Sequence, residues 1–258
     1  MTMVYNRTIA VLLGLTIATS IISIVGYILK VIILPELDTS SIENYLSQTF
    51  ILLTIVLALL IGVNAIGYER TAAIFILTFI ISFLFELSST YNGFPYGKYE
   101  YTDRMGYKLL GEVPILIPLS WFSIILPSYL IGHRLGYRGW NLVIVSSIFV
   151  LFWDLSLEYM ASYIQKFWIW ESGFFYGMPI ENWGGWLLTA FIIHSLFYLL
   201  FGDEKINYSK NALLLYLTIT LFSAIFSIVS GGLLPGLLTV GGILIIILSS
   251  IYRGGKIW

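Results

Sequence analysis

Apolar residues along the chain fall in long blocks rather than in alternation. At ~20 residues per helical crossing, the blocks predict membrane helices near 8–34, 49–66, 71–88, 115–132, 141–160, 186–201, 211–230 and 233–251. Only Gly231, Gly232, Leu233, Leu234, Pro235 and Gly236 separate the last pair, residues that suit a tight turn. Seven spans with one re-entrant segment is the competing arrangement. The first block, Thr8 to Leu34, is too long for a signal-peptide core and has no A-x-A site, so it is expected to remain as a membrane helix. The fold class is therefore all-α: a polytopic helical membrane bundle of seven or eight transmembrane helices, one integral-membrane domain over 1–258.

Basic residues set the orientation. With the N-terminus inside, Arg7, Arg70, Arg134, Arg138, Lys205, Lys210, Arg253 and Lys256 lie inside. Lys30, Lys98, Arg104, Lys108 and Lys166 lie outside, a bias of eight to five that places both termini on the cytoplasmic side of a cell membrane. Two long connections, 89–114 and 161–185, then share the outer face. The first ends Gly111-Glu112-Val113-Pro114 with Trp121 seven residues past the proline; the second ends Gly177-Met178-Pro179 with Trp186 seven past. Phe94-Pro95-Tyr96-Gly97 and Phe174-Phe175-Tyr176-Gly177 precede them. Helices three–four and five–six read as two degenerate copies of one hairpin.

Composition narrows the chemistry. The chain is 59% hydrophobic and 10% charged, against about 25% charged in soluble domains. Its formal net charge of −1 offers no footprint for nucleic acid. With no cysteine, disulfides, thiolate metal sites and iron–sulfur clusters are excluded. Two histidines, His133 and His194, cannot build a multi-histidine di-iron centre. No metal and no cofactor are expected.

Glu86, Asp154 and Glu158 are the acids within the spans. Asp154 and Glu158, four apart, share one helical face, and Glu86 leaves its helix toward the same side. Intramembrane acids are costly and are functional candidates by default; a headgroup contact is the bland reading for Glu86 and Glu158. Seven of eight tryptophans lie between the third span and the start of the sixth, and six of them (Trp121, Trp153, Trp168, Trp170, Trp183, Trp186) fall outside the inner loop that holds Trp140. Tyr96, Tyr99, Tyr101 and Tyr176 join them. An interfacial belt would populate both faces, yet the inner loops hold little beyond Tyr68, Tyr137, Trp140, Tyr208 and Trp258. The excess predicts a cap over a cavity, and aromatic faces beside carboxyl groups suit carbocation chemistry. Asn182 is expected to hold a turn or a water, His194 to meet a buried partner or line the cavity, and His133 to sit solvated in an inner loop.

The segment Glu86-Leu-Ser-Ser-Thr-Tyr-Asn-Gly93-Phe-Pro95-Tyr-Gly97-Lys-Tyr99-Glu-Tyr101-Thr102 resembles the first signature of the carotenoid 1,2-hydratase family, which includes archaeal bisanhydrobacterioruberin hydratases and bacterial γ-carotene hydratases. Gly111 to Pro114 with Trp121 resembles its second block. Asp154-Leu-Ser-Leu-Glu158, Trp168-Ile-Trp170, Tyr176-Gly177-Met-Pro179 and Asn182-Trp183-Gly184-Gly185-Trp186 resemble its third. Tyr159 stands where the family usually has proline, and Ser88 and Ser89 where it has a glycine. The resemblance, over 86–186, implies addition of water to the terminal double bond of an acyclic carotenoid, a lipophilic substrate drawn from the bilayer, without a redox cofactor.

Such chemistry needs one group to protonate carbon and another to activate water, and adjacent carboxyls resist ionising together, which divides the roles. Asp154 is the expected donor, and Glu158 or Glu86 the base. Three rivals compete. A prenyltransferase would use Asp154-x-x-x-Glu158 as half of a Mg²⁺–diphosphate site, a carotenoid cyclase would use the cation without water, and a proton-coupled transporter or lipid-binding membrane protein would use the acids as a relay.

Overall fold

Each apolar block becomes one helix in the computed structural model, which describes residues 2–202 and 206–253, with side chains from Arg7 onward. In chain order these are α1 (Thr2–Ile33), α2 (Ser40–Ile66), α3 (Tyr68–Asn92), α4 (Leu116–Arg134), α5 (Gly139–Glu158), α6 (Glu181–Phe201), α7 (Lys210–Val229) and α8 (Leu233–Tyr252). Among the described residues, eight helices are long and apolar enough to cross a membrane. Lys205, Lys256 and Trp258, used in the charge and aromatic counts, lie outside the described residues.

The re-entrant alternative is not what forms. α7 and α8 are separate full-length helices, joined by a turn in which Gly232 N donates to Ser227 O at 2.7 Å and Gly231 N to Ile228 O at 3.2 Å. α8 begins at Leu233, where the last drawn span begins, so the turn itself is confined to the residues before it. Helices overrun the drawn spans because polar first turns are stabilised above the apolar zone. α2 starts at Ser40, where Glu43 accepts from Lys30 Nζ at 2.9 Å and from Thr39 Oγ1 at 2.5 Å. α5 continues into a π-helical turn, Tyr159–Ile164, so at Tyr159 the chain widens rather than breaks. His133, read as a solvated loop residue, instead closes α4 and is buried.

α4 is the axis of the bundle. Fifteen of its nineteen residues are buried, and it packs against α2, α3, α5 and α7. α1 is peripheral and turns Val11, Leu15, Ile21 and Leu29 outward, as lipid-facing side chains should be, since lipid exacts no penalty for apolar surface. Between helices, hydroxyls supply the specific contacts that apolar burial alone cannot give inside a membrane. Ser156 and Ser223 share a 2.8 Å bond, Ser227 Oγ donates to Ser156 O at 3.0 Å, and Thr239 Oγ1 donates to Phe152 O at 2.9 Å. α7 and α8 thus carry polar contacts that fix their packing.

Both long connections meet at one end of the bundle. β1 (Tyr99–Tyr101) pairs antiparallel with β4 (Trp168–Trp170), with Tyr99 opposite Trp170 and Tyr101 opposite Trp168. Shorter strands β2 (Lys108–Leu109) and β3 (Val113–Pro114) form a second pair that leads into α4. Gly97 is required where the two connections cross. Its φ of +98° suits glycine, and a Cβ there would lie 2.4 Å from Pro179 Cγ. At the opposite end Arg70 lies over Phe201, Arg134 over Tyr208 and Arg253 over Tyr137, which gathers these three basic residues at one end of the bundle.

Candidate active site

Below the β1–β4 ribbon lies a cavity with about 1230 Å³ of empty space between its walls, its open mouth included. Glu86 from α3 and Glu158 from α5 both line it. The two acids are held in parallel ways. Glu86 Oε2 accepts from Tyr101 Oη at 2.7 Å and from Tyr99 Oη, and Oε1 accepts from Trp121 Nε1 at 3.0 Å. Glu158 Oε2 accepts from Trp168 Nε1 at 3.2 Å and Trp170 Nε1 at 3.0 Å. Each acid is therefore gripped by alternate residues of the strand that follows its own helix. Alternation is why this works: residues two apart in a strand point to one face, so Tyr99 and Tyr101, like Trp168 and Trp170, present two donors downward.

That arrangement gives the two hairpins a common plan. The strands pair with each other, and the tryptophans seven residues past each proline, Trp121 and Trp186, stack at 4.1 Å. Tyr96 extends the stack at 6.2 Å from Trp121, and Trp153 meets Trp186 edge-on at 5.7 Å. Tyr96 Oη pairs with Thr189 at 2.8 Å. Gly185 makes room for it: an added Cβ would stand 2.4 Å from Tyr96 Cδ1 and 2.8 Å from Pro95 O.

The phenols outside the spans are fixed as donors. Burial, then the charge of Glu86, holds the Tyr99 and Tyr101 hydroxyls well above the ordinary tyrosine range, so they keep their protons. A carboxyl that faces three O–H and N–H donors is presented as an acceptor. The same donors face a metal cation wrongly, and among the described residues no cluster of three His, Cys, Asp or Glu stands ready to hold one.

Asp154 is placed differently from its two neighbours. It is fully enclosed and lies behind the wall rather than on it. Its Oδ2 accepts from Asn182 Nδ2 at 3.1 Å, while Oδ1 has no partner among the described residues. Asn182, read as a loop residue, stands in the first turn of α6 and lines the cavity. Tyr96, Tyr99, Tyr101, Trp121, Trp153, Trp168, Trp170 and Trp186 line it too. Tyr176, Trp183 and His194 do not. Tyr176 packs on Tyr159 and Tyr163, and Trp183 on Phe174 and Phe175. His194 meets neither acid; its ring bonds Ser147 Oγ at 3.1 Å and Ile125 O at 3.1 Å, tying α6 to α5 and α4.

About a third of the residues lining the cavity come from helices without a motif. Glu43, Leu46, Ser47, Phe50, Ile51 and Thr54 of α2 line it, joined by Tyr27 of α1 and Phe222 and Phe226 of α7. The α2 set recurs at steps of three and four, one helical face, and that spacing was the available signal. In an all-apolar helix it does not stand out, because the lipid-facing side is equally apolar.

A sequence profile of the family described as carotenoid biosynthesis protein matches residues 46–248. The chain is also 32% identical over 146 residues to the bisanhydrobacterioruberin hydratase of Haloarcula japonica. That match covers 55% of this chain and 49% of the relative, so it spans about half the relative's length. No solved structure matches the chain at a significant level. The profile match runs through both hairpins and most of the surrounding bundle, and this multi-pass chain belongs to the carotenoid biosynthesis protein family.

Proposed function

We propose that the protein adds water across the terminal C=C of an acyclic carotenoid, with Glu158 as proton donor and Glu86 as base. The supporting observation is the pair of buried carboxyls on the wall of one aromatic cavity, each held by donors from its own strand. Glu158 has both indole contacts on Oε2, which leaves its other oxygen to deliver a proton to the less substituted alkene carbon. A C–H bond forms there and a tertiary cation develops on its neighbour. Aromatic rings that line the cavity stabilise it, at ~0.5–2 kcal/mol for each cation–π contact. A water oxygen then bonds the cation and passes a proton to Glu86, and exchange with solvent returns the pair to its starting state. Asp154, the donor expected from sequence, stands behind the wall and is not given the proton.

The substrate class follows from the relative's name and from the cavity, whose walls are mostly apolar. Lateral entry from lipid suits a polyene roughly as long as the bilayer core, ~30 Å. A prenyltransferase would need cations for a diphosphate, and among the described residues no Lys, Arg or His lines the cavity. The cyclase reading differs only in what captures the cation. The basic residues at the end opposite the ribbon support a cytoplasmic location for both termini.

The test is expression in hosts that accumulate lycopene or bisanhydrobacterioruberin, followed by mass analysis of the pigments. A gain of one or two waters is the expected result. Unchanged mass with an altered spectrum would replace hydration by cyclisation.

A further inference from the structure

Asn182 is a side chain whose two ends are separated by the wall. Its Nδ2 donates to Asp154 Oδ2 at 3.1 Å and to Met178 Sδ at 3.0 Å, and Asp154 lies behind the cavity surface. A primary amide has two N–H donors and one carbonyl acceptor. Both donors are spent on these partners, so Oδ1 is the polar atom left for the cavity that Asn182 lines. Turning the amide over would set its carbonyl against the Met178 sulfur, which has no proton to give, and would lose the donor to Asp154 Oδ2. Asp154 therefore decides which end of Asn182 the cavity meets. The isolation of Asp154 suits this role, since it is 0% exposed and has Asn182 as its hydrogen-bond partner.

We propose that Asn182 Oδ1 holds the water that attacks the cation, and that Asp154 is a positioning residue that keeps the Asn182 carbonyl turned toward it. The proposal rests on the hydratase reading. In the capture step the water oxygen forms the C–O bond, one O–H stays hydrogen-bonded to Asn182, and the other O–H breaks as its proton passes to Glu86. Holding the water matters because a tertiary cation has a competing exit. It can lose a proton from an adjacent carbon and return to an alkene, with no water added. Protonation and capture are thus separable, and each has its own signature in heavy water: deuterium in recovered unhydrated polyene reports protonation, and the tertiary alcohol reports capture.

The experiment supplies whichever polyene the wild type hydrates, in D2O, and measures alcohol yield and deuterium in the remaining polyene by mass spectrometry. Folding of each variant is checked by thermal melting in detergent. Asn182→Leu is expected to lose alcohol formation by ~10–100-fold, the scale of one lost hydrogen bond to a charged or developing-charge partner, while deuterium still enters the polyene. Asp154→Leu should show the same split. Asp154→Asn should restore the alcohol, because its carbonyl can accept from Asn182 Nδ2 as the carboxyl does. A structural role alone would lower both signals together in proportion to folded protein.

Alcohol at the wild-type level in folded Asn182→Leu would overturn the proposal, as would joint loss of alcohol and deuterium. Loss of deuterium entry in folded Asp154→Asn would overturn it too, by making Asp154 the proton donor. If Asn182→Leu does not fold, Asp154→Asn, matched in size to the native residue, still decides between positioning and proton donation. Wild-type protein that hydrates neither lycopene nor bisanhydrobacterioruberin marks failure of the hydratase reading, a result distinct from all of these.

Discussion

Replacing Glu158 by glutamine tests proton delivery with little disturbance of structure. In the native site Oε2 accepts from two indole N–H groups at 3.2 and 3.0 Å. An indole donates and cannot accept, so the variant amide must place its carbonyl oxygen against Trp168 and Trp170. Its NH2 then takes the position of the proton-bearing oxygen. Both indole bonds survive, and as neutral bonds each is worth ~0.5–1.5 kcal/mol, so the stability change should stay below ~1 kcal/mol. The amide cannot transfer a proton to carbon. General acid catalysis is typically worth 10²–10⁴-fold, and here protonation begins the reaction, so turnover should fall by ~10⁴-fold. The assay is hydrated polyene per folded protein in D2O, with deuterium in recovered polyene as the second readout. Both should vanish together in Glu158→Gln. Glu86→Gln should lose the alcohol yet keep deuterium entry, because the phenols of Tyr99 and Tyr101 can accept from its NH2 while Trp121 donates to its carbonyl. Turnover in Glu158→Gln above one-tenth of wild type, with melting unchanged, would refute the assignment of Glu158 as donor.

Gly185→Ala should lower the detergent melting temperature and cost about 1–3 kcal/mol, since its Cβ would press on Pro95 O, a backbone atom held by the connection between α3 and β1. The Tyr99 and Tyr101 phenols, raised by burial and by Glu86, keep their protons above the usual tyrosine range. Their hydrogen bonds to Glu86 should therefore be intact at ~pH 10 and lost only as pH rises past the folded-state value. Tyrosinate absorbance up to that pH should match between wild type and Tyr99→Phe/Tyr101→Phe, and a smaller signal in the variant would refute it. The chain has no native cysteine, so Tyr107→Cys and Ser172→Cys, both exposed, should label from one side of sealed vesicles and Tyr68→Cys from the other. Labelling of Tyr107→Cys and Ser172→Cys from opposite sides would contradict the pairing of β1 with β4.

Hydropathy alone determined the number and rough placement of the helices, because a lipid solvent demands an apolar block per crossing and internally satisfied backbone. It also singled out Glu86, Asp154 and Glu158, since an acid among apolar residues stands out in any register, and it showed the twin Gly-Pro-Trp order of the two connections. What it did not hold was which donors reach which acid. That depended on β1 pairing with β4 across 67 or more residues of sequence, from Tyr101 to Trp168, a contact with no local signature. Sequence spacing put Asp154 and Glu158 on one helical face as equals. Tertiary packing separated them: the turn between them leaves Glu158 on the cavity wall and carries Asp154 behind Asn182. His194, Tyr176 and Trp183 have the residue types of a site, yet packing spends them on helix and loop contacts. Conversely, Phe50, Phe222 and Tyr27 enter the cavity because α1, α2 and α7 close around it. In a helix apolar on every side, only the neighbours decide which face meets lipid and which meets substrate.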